Sequence, residues 1–234
     1  MKKKILLLGI ILAAILTITG CGKEEKIAIN EDGAKFKEEY ESLNGKVNSG
    51  GKEHRTLTIA EDNPFIYITP EKLLEKMDNK ESFYVYFGSK FCPWCRAIIE
   101  TATMVAKKKK IDKIYYIDIW DDETNEVLRD KYIINDNNEL EQVIQGTKSY
   151  YEILKRFDSL LDNYTLTDKK GNQVQVEEKR IFAPTFIFIE KGNAKRLVSG
   201  IPDMLKNPRE ELSEEVLKTE ENTFNDFFDE DCRC

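Results

Sequence analysis

Cys92 and Cys95 flank a proline and a tryptophan, and two thiols three positions apart can close a small disulfide and open it again. They follow an apolar, strand-like run over residues 83–87 and open a helix-like run. Cys92 therefore falls where a helix presents N–H groups without intrahelical partners, and such groups favour a thiolate. Ionisation matters because the thiolate is the attacking form. A cysteine of pKa about 8.5 is only about 3% ionised at pH 7, and one lowered to about 6.5 is roughly 75% ionised. Nucleophilicity falls with pKa, so the gain is bounded. Pro93 suits the first helical position, where its missing N–H costs nothing and its φ is already helical. The chemistry available to these residues is thiol-disulfide exchange. The same spacing is also half of a zinc site, which needs two more Cys or His ligands. The one histidine, His54, is distant, the other cysteines lie at the chain ends, and no metal is expected.

The N-terminus indicates the compartment. Lys2, Lys3 and Lys4 precede an uncharged apolar stretch over residues 5–18. As a helix that stretch spans about 21 Å, short of a hydrocarbon core about 30 Å thick, and it reads as a signal peptide. The small residues ending in Gly20 and Cys21 resemble the lipobox of bacterial lipoproteins, which implies cleavage before Cys21 and its lipidation. An uncleaved membrane anchor is the alternative. In both cases the lysines stay inside and the domain lies on the extracytoplasmic face of the membrane. Two acyl chains make such an attachment stable, at about 0.8 kcal/mol per buried methylene.

The whole chain carries a formal charge of −7, and loss of residues 1–20, with three lysines and no acids, takes it to −10. Nucleic acid rewards basic surfaces and is not an expected partner. Of the five cysteines, setting aside Cys21 leaves two close pairs, Cys92 with Cys95 and Cys232 with Cys234. Disulfides persist outside the cytoplasm, but neither pair closes a long loop as a structural staple should. Cys232 and Cys234 form a candidate auxiliary redox pair on an acidic tail, residues 229–234, which either relays electrons to Cys92 or simply pairs with itself.

Residues 21–64 read as a lipidated N-terminus and tether, loosest at Asn48-Ser49-Gly50-Gly51, with His54 an ordinary surface histidine. Residues 65–69 alternate like a strand, and Thr69 with Pro70 starts a helix. A strand at 82–87, a helix from Cys92 to about Lys110 and a strand at 114–120 follow. The lysines at 107–110 read as a solvated helix end facing the negative end of its dipole. About 60 residues then intervene, 121–180, with an acidic helix near 124–132, a polar stretch near 135–138, a helix over 148–161 and a turn at 168–172. Strands at 185–190 and 195–199 flank a turn at Lys191-Gly192-Asn193, and a last helix covers about 209–228. This order predicts an α/β sheet covered on both faces.

The order β, α, β, CxxC helix, β, insertion, β-hairpin, α resembles the thioredoxin fold over residues 65–228. Ala183-Pro184-Thr185 before an apolar strand strengthens the likeness, because thioredoxin-family proteins place a cis-proline there, opposite the CxxC. Proline is otherwise awkward before a central strand. The stretch Gly88-Ser89-Lys90-Phe91-Cys92-Pro93-Trp94-Cys95-Arg96 is similar to the active-site region of thioredoxin-like proteins related to bacteriocin-transport accessory proteins. The resemblance implies a central mixed sheet with helices on both faces, an insertion between the CxxC-side strands and the cis-Pro strand, and no cofactor beyond a redox-active disulfide. It implies that Cys92 attacks and Cys95 resolves, with Pro93, Trp94, Ala183 and Pro184 at the substrate groove. Trp94 either contacts a substrate backbone or is an exposed loop aromatic. Thioredoxin has a buried aspartate six positions before its first active cysteine, and Tyr86 stands there in this chain. The group that deprotonates Cys95 is then missing or comes from elsewhere, and redox direction stays open.

The expected function is that of a membrane-anchored thiol-disulfide oxidoreductase acting on exported thiol or disulfide proteins, with a membrane redox partner. The alternatives are a non-catalytic accessory lipoprotein of an export or secretion system, and a transporter's substrate-binding lipoprotein. The CxxC, and a chain short for two large lobes, argue against the last.

Overall fold

The computed structural model describes residues 30–121 and 128–229. Cys21, Cys232, Cys234 and the first four residues of the acidic helix expected near 124–132 lie outside them.

Five strands make one mixed sheet: β1 (Phe65–Tyr67), β2 (Phe83–Gly88), β3 (Ile114–Asp118), β8 (Thr185–Glu190) and β9 (Asn193–Val198), in the order β1-β3-β2-β8-β9. β3 runs parallel to β1 and β2, whereas β8 is antiparallel to both β2 and β9. Both β2 and β8 are almost wholly buried because each feeds two cores. Tyr84, Tyr86, Phe186 and Phe188 point to one face, and Val85, Phe87, Ile187 and Ile189 to the other. This is the period-2 consequence of a strand covered on both sides.

The first face is closed by α1 (Glu31–Glu41), α3 (Pro93–Lys108) and α5 (Glu214–Phe227), the second by α2 (Pro70–Asp78) and α4 (Lys148–Phe157). α2 begins as its residues dictate: the Thr69 hydroxyl accepts the Lys72 N–H at 3.3 Å, and Pro70 occupies the first turn. Between β3 and β8 the insertion builds two hairpins, β4 (Lys131–Ile134) with β5 (Leu140–Ile144) and β6 (Asn163–Thr167) with β7 (Gln173–Lys179). The expected helix near 124–132 thus gives way to strand from Lys131 onward. The helix expected over 148–161 stops at Phe157, followed by a 3-10 turn over Asp158–Leu160.

The tether assignment is corrected from residue 30 onward. Asn30 caps α1 by accepting the Asp32 N–H at 3.2 Å, and Phe36 and Tyr40 are fully buried. Leu57 and Ile59 join the same core. Phe36 stacks on Phe65 with ring centroids 4.1 Å apart and meets Tyr116 edge-on at 4.9 Å. Such burial contributes roughly 1.5–3 kcal/mol per large side chain, enough to hold this segment as an element of the domain. His54 is likewise buried, because residues 47–53 turn back through a Val47–Glu53 bridge and Arg209 bonds the Glu53 carbonyl at 2.5 Å. The lysine run is tied down: Lys107 pairs with Asp62, and Lys108 with Glu221 at 2.9 Å.

Glu220 of α5 has no exposed surface and accepts the Thr101 hydroxyl of α3 at 2.7 Å, while its Oε1 lacks a partner. Burial lifts its pKa to about 7, with Arg55 opposing and Glu100 reinforcing the rise. A carboxyl whose folded pKa exceeds its unfolded value stabilises the fold at low pH and loses that contribution as pH rises through the folded pKa. Stability should therefore fall by about 2 kcal/mol between roughly pH 4.5 and 7.5. Glu220→Gln should flatten the slope and be the more stable form at pH 8 in urea titrations. An unchanged slope would contradict it.

Candidate active site

The site forms where β2 ends. Ser89, fully buried, accepts the Cys92 N–H on its carbonyl at 3.2 Å and brings the chain round into α3. Cys92 is the N-cap of that helix: its Sγ accepts the Cys95 N–H at 3.4 Å, with Pro93 at the first helical position. An oxygen usually fills this role. A sulfur that does so is best served when it carries charge. The Cys92 thiol also lies 3.5 Å from the Ala183 carbonyl oxygen, to which it can donate. The Ala183–Pro184 peptide is cis, and Pro184 leads directly into β8. The sequence-expected residues Cys92, Pro93, Cys95, Ala183 and Pro184 are thus brought together across β2 and β8, and Trp94 is half-buried against the first core. Both cysteines are free thiols.

Their environments differ. Cys92 retains 6% of its surface and Cys95 none. A hydrogen bond from Cys95 draws the Cys92 pKa down against the opposing effect of burial, helped by the N–H groups of Cys95 and Trp94 and by the charge of Arg129. Burial drives Cys95 well up, and the neighbouring Cys92 adds to this, while Tyr86 and the Ser89 backbone oppose it as hydrogen-bond partners. Two adjacent thiols pushed apart in this way leave Cys92 the more readily ionised of the two.

Arg129 was not foreseen. It lies in the insertion, where its Nη1 bonds the Ile181 carbonyl at 2.9 Å. Beside it, Asp130 and Arg180 form a buried ion pair at 3.1 Å, and the Tyr150 hydroxyl accepts the Ile181 N–H at 3.1 Å. These contacts fasten the insertion to the loop that carries Ala183 and Pro184. Phe182 in that loop is 48% exposed, with Tyr164 edge-on at 5.9 Å, and forms an apolar surface at the rim. Nothing in the local pattern of Leu128-Arg129-Asp130 marks these residues, because their partners lie 50 or more positions away. If Arg129 lends its charge to Cys92, Arg129→Gln should move the thiolate titration to higher pH, followed by ultraviolet thiolate absorbance. Arg129→Lys should restore part of the effect, and an unmoved titration would exclude the role.

Among the described residues no group of three or more His, Cys, Asp or Glu side chains converges as a metal requires. Protein-family models and curated protein sequences contain no match to this chain.

Proposed function

We propose that this chain is a thioredoxin-like thiol-disulfide oxidoreductase, held by a lipid on Cys21 at the extracytoplasmic face of the membrane, acting on exported proteins and recharged by a membrane redox partner. The observation that carries this reading is the Cys92 thiol, capping α3 and 3.5 Å from the Ala183 carbonyl, with Cys95 buried behind it. The sheet order, with the cysteine pair after β2 and Pro184 before the antiparallel β8, supports the thioredoxin-like assignment.

As an oxidant, the Cys92–Cys95 disulfide accepts a substrate thiolate at Cys92, and Cys95 leaves with the bonding pair. A second substrate thiolate then displaces Cys92. As a reductant the steps reverse: the Cys92 thiolate attacks a substrate disulfide, and Cys95 then attacks Cys92 and releases the substrate thiol. Two electrons move, and no cofactor beyond the disulfide takes part. An extended substrate beside Pro184 would lie against Phe182 and Trp94. Stabilising the Cys92 thiolate favours the reduced pair and so an oxidant's role, with 30 mV corresponding to about 1.4 kcal/mol.

Equilibration of the protein with glutathione buffers, followed by alkylation and mass spectrometry, tests the proposal. The pair should titrate as one two-electron couple between about −120 and −270 mV. A pair that does not exchange with glutathione refutes it. The exposed Ile133 and Leu140 of the β4–β5 hairpin, with Val143 at 43% exposure, favour a second reading, an accessory lipoprotein that binds a partner without catalysis.

A further inference from the structure

Cys95 poses a chemical problem. It has no exposed surface, yet resolving a mixed disulfide on Cys92 requires it to act as a thiolate. A buried anion needs hydrogen-bond donors already in place. The sheet below holds a candidate. Tyr86 on β2 is fully buried, and its ring is turned along the strand over Gly88, so that a Cβ at position 88 would lie 2.2 Å from the Tyr86 hydroxyl. Only glycine at 88 lets the phenol lie at this end of β2, where the cysteine pair begins. The ring is clamped between Phe186 at 4.3 Å and Tyr116 at 5.4 Å, both stacked, so the hydroxyl cannot swing away.

Behind Tyr86 stands a second phenol. The Tyr40 hydroxyl of α1 is 3.1 Å from that of Tyr86, in a fully buried pair. If Tyr86 donates to sulfur, Tyr40 must donate to Tyr86, and a chain of two such bonds is stronger than each alone. α1 is held in place for this by Arg96, whose Nη1 donates to the Tyr40 carbonyl at 2.7 Å. On the oxidoreductase reading above, we infer that the Tyr86 hydroxyl, backed by that of Tyr40, donates a hydrogen bond to the Cys95 sulfur as it becomes a thiolate, and so speeds resolution of the mixed disulfide.

The step balances without any further reactant. The Cys95 sulfur forms a bond to Cys92, the bond between Cys92 and the substrate sulfur breaks, and the departing sulfur keeps the electron pair. The proton that Cys95 gives up ends on that departing sulfur. Tyr86 keeps its own proton throughout, since burial pushes both phenols well above their ordinary pKa. The opposing influence on the Cys95 pKa already noted for Tyr86 has the sign this donation requires. The other titratable or charged groups around the phenols are Tyr116 and Asp118 of β3 and Arg96 of α3. Burial raises the Asp118 pKa, and a charged Asp118 disfavours ionisation of Tyr40.

The test follows the full-length chain in detergent after mixing its reduced form with glutathione disulfide. Acid quenching and peptide mass spectrometry separate two phases, glutathione addition to Cys92 and its release by Cys95. Tyr86→Phe keeps the ring stack and removes only the hydroxyl. The first phase should keep its rate, and the second should slow about tenfold or more, the size of one hydrogen bond to a charged group. The pH dependence of the second phase should move to higher pH. Tyr40→Phe should give a smaller slowing of the same phase, and the double variant, which leaves no phenol unpaired, should match Tyr86→Phe. A second phase as fast as in the parent, or equal slowing of both phases, overturns the inference alone. A parent chain that never adds glutathione to Cys92 overturns the oxidoreductase reading, and this inference with it.

Discussion

Cys92→Ser should abolish thiol-disulfide exchange, whereas Cys95→Ser should accumulate mixed disulfides through Cys92. Both expectations follow from the unequal burial of the two sulfurs. Cys92 keeps 6% of its surface and faces the Ala183 carbonyl, so an incoming sulfur can approach it in line, and Cys95 is reachable only from Cys92. In Cys95→Ser the attacking thiolate survives and the group that releases the product does not, so a covalent adduct persists. The serine hydroxyl can donate to Cys92 as the Cys95 thiol does, so adduct formation should stay close to the parent rate. Full insulin-reduction or dithiol-oxidation activity in Cys92→Ser would refute the assignment of Cys92 as the attacking residue, whereas a parent chain with neither activity would favour the accessory lipoprotein.

Arg96→Met should lower stability by about 3 kcal/mol. Arg96 is fully buried in the first turn of α3, and its guanidinium binds the Tyr40 carbonyl at 2.7 Å, the Arg55 carbonyl through Nε at 3.1 Å and the Asn44 Oδ1 at 3.0 Å. Asn44 in turn closes on both backbone groups of Leu57, accepting at 3.0 Å and donating at 2.8 Å. Methionine matches the stem but leaves two buried carbonyls unpaired, at about 1–3 kcal/mol each. Burial pulls the Arg96 pKa down to about 10, still leaving it charged at neutral pH. Urea denaturation should show the loss, and limited proteolysis should cut first between residues 41 and 59. A change below about 0.5 kcal/mol, within the range of ordinary surface substitutions, would mean that the N-terminal segment does not depend on this hub.

The central sheet was legible because its strands carry strong local signals. The apolar runs at 83–87 and 185–190, the capping Thr69-Pro70 pair and the Lys191-Gly192 turn each determine their structure within a few residues. α1 was not, since its charge hides a stripe of only Phe36 and Tyr40, and their burial is decided by Phe65 and Tyr116 far along the chain. The β4 and β5 strands are short and mostly exposed, so alternation between faces is weak there. Within the site, the cysteine pair and Ala183-Pro184 stood out by type and spacing. Arg129 and Tyr40 did not, because each is placed by contacts across the fold that no spacing encodes. Tyr86 stood out by its position six residues before Cys92, but the turn of its ring over Gly88 is a matter of packing that spacing does not encode.

The most direct measurement is the rate at which iodoacetamide alkylates Cys92 as a function of pH, mapped by peptide mass spectrometry. If Cys92 caps α3 as an activated thiolate, the rate should rise through an inflection clearly below the ordinary thiol value of about 8.5, with Cys95 unreactive throughout. An inflection at or above about 8.5, or alkylation of Cys95 at a comparable rate, would contradict the account.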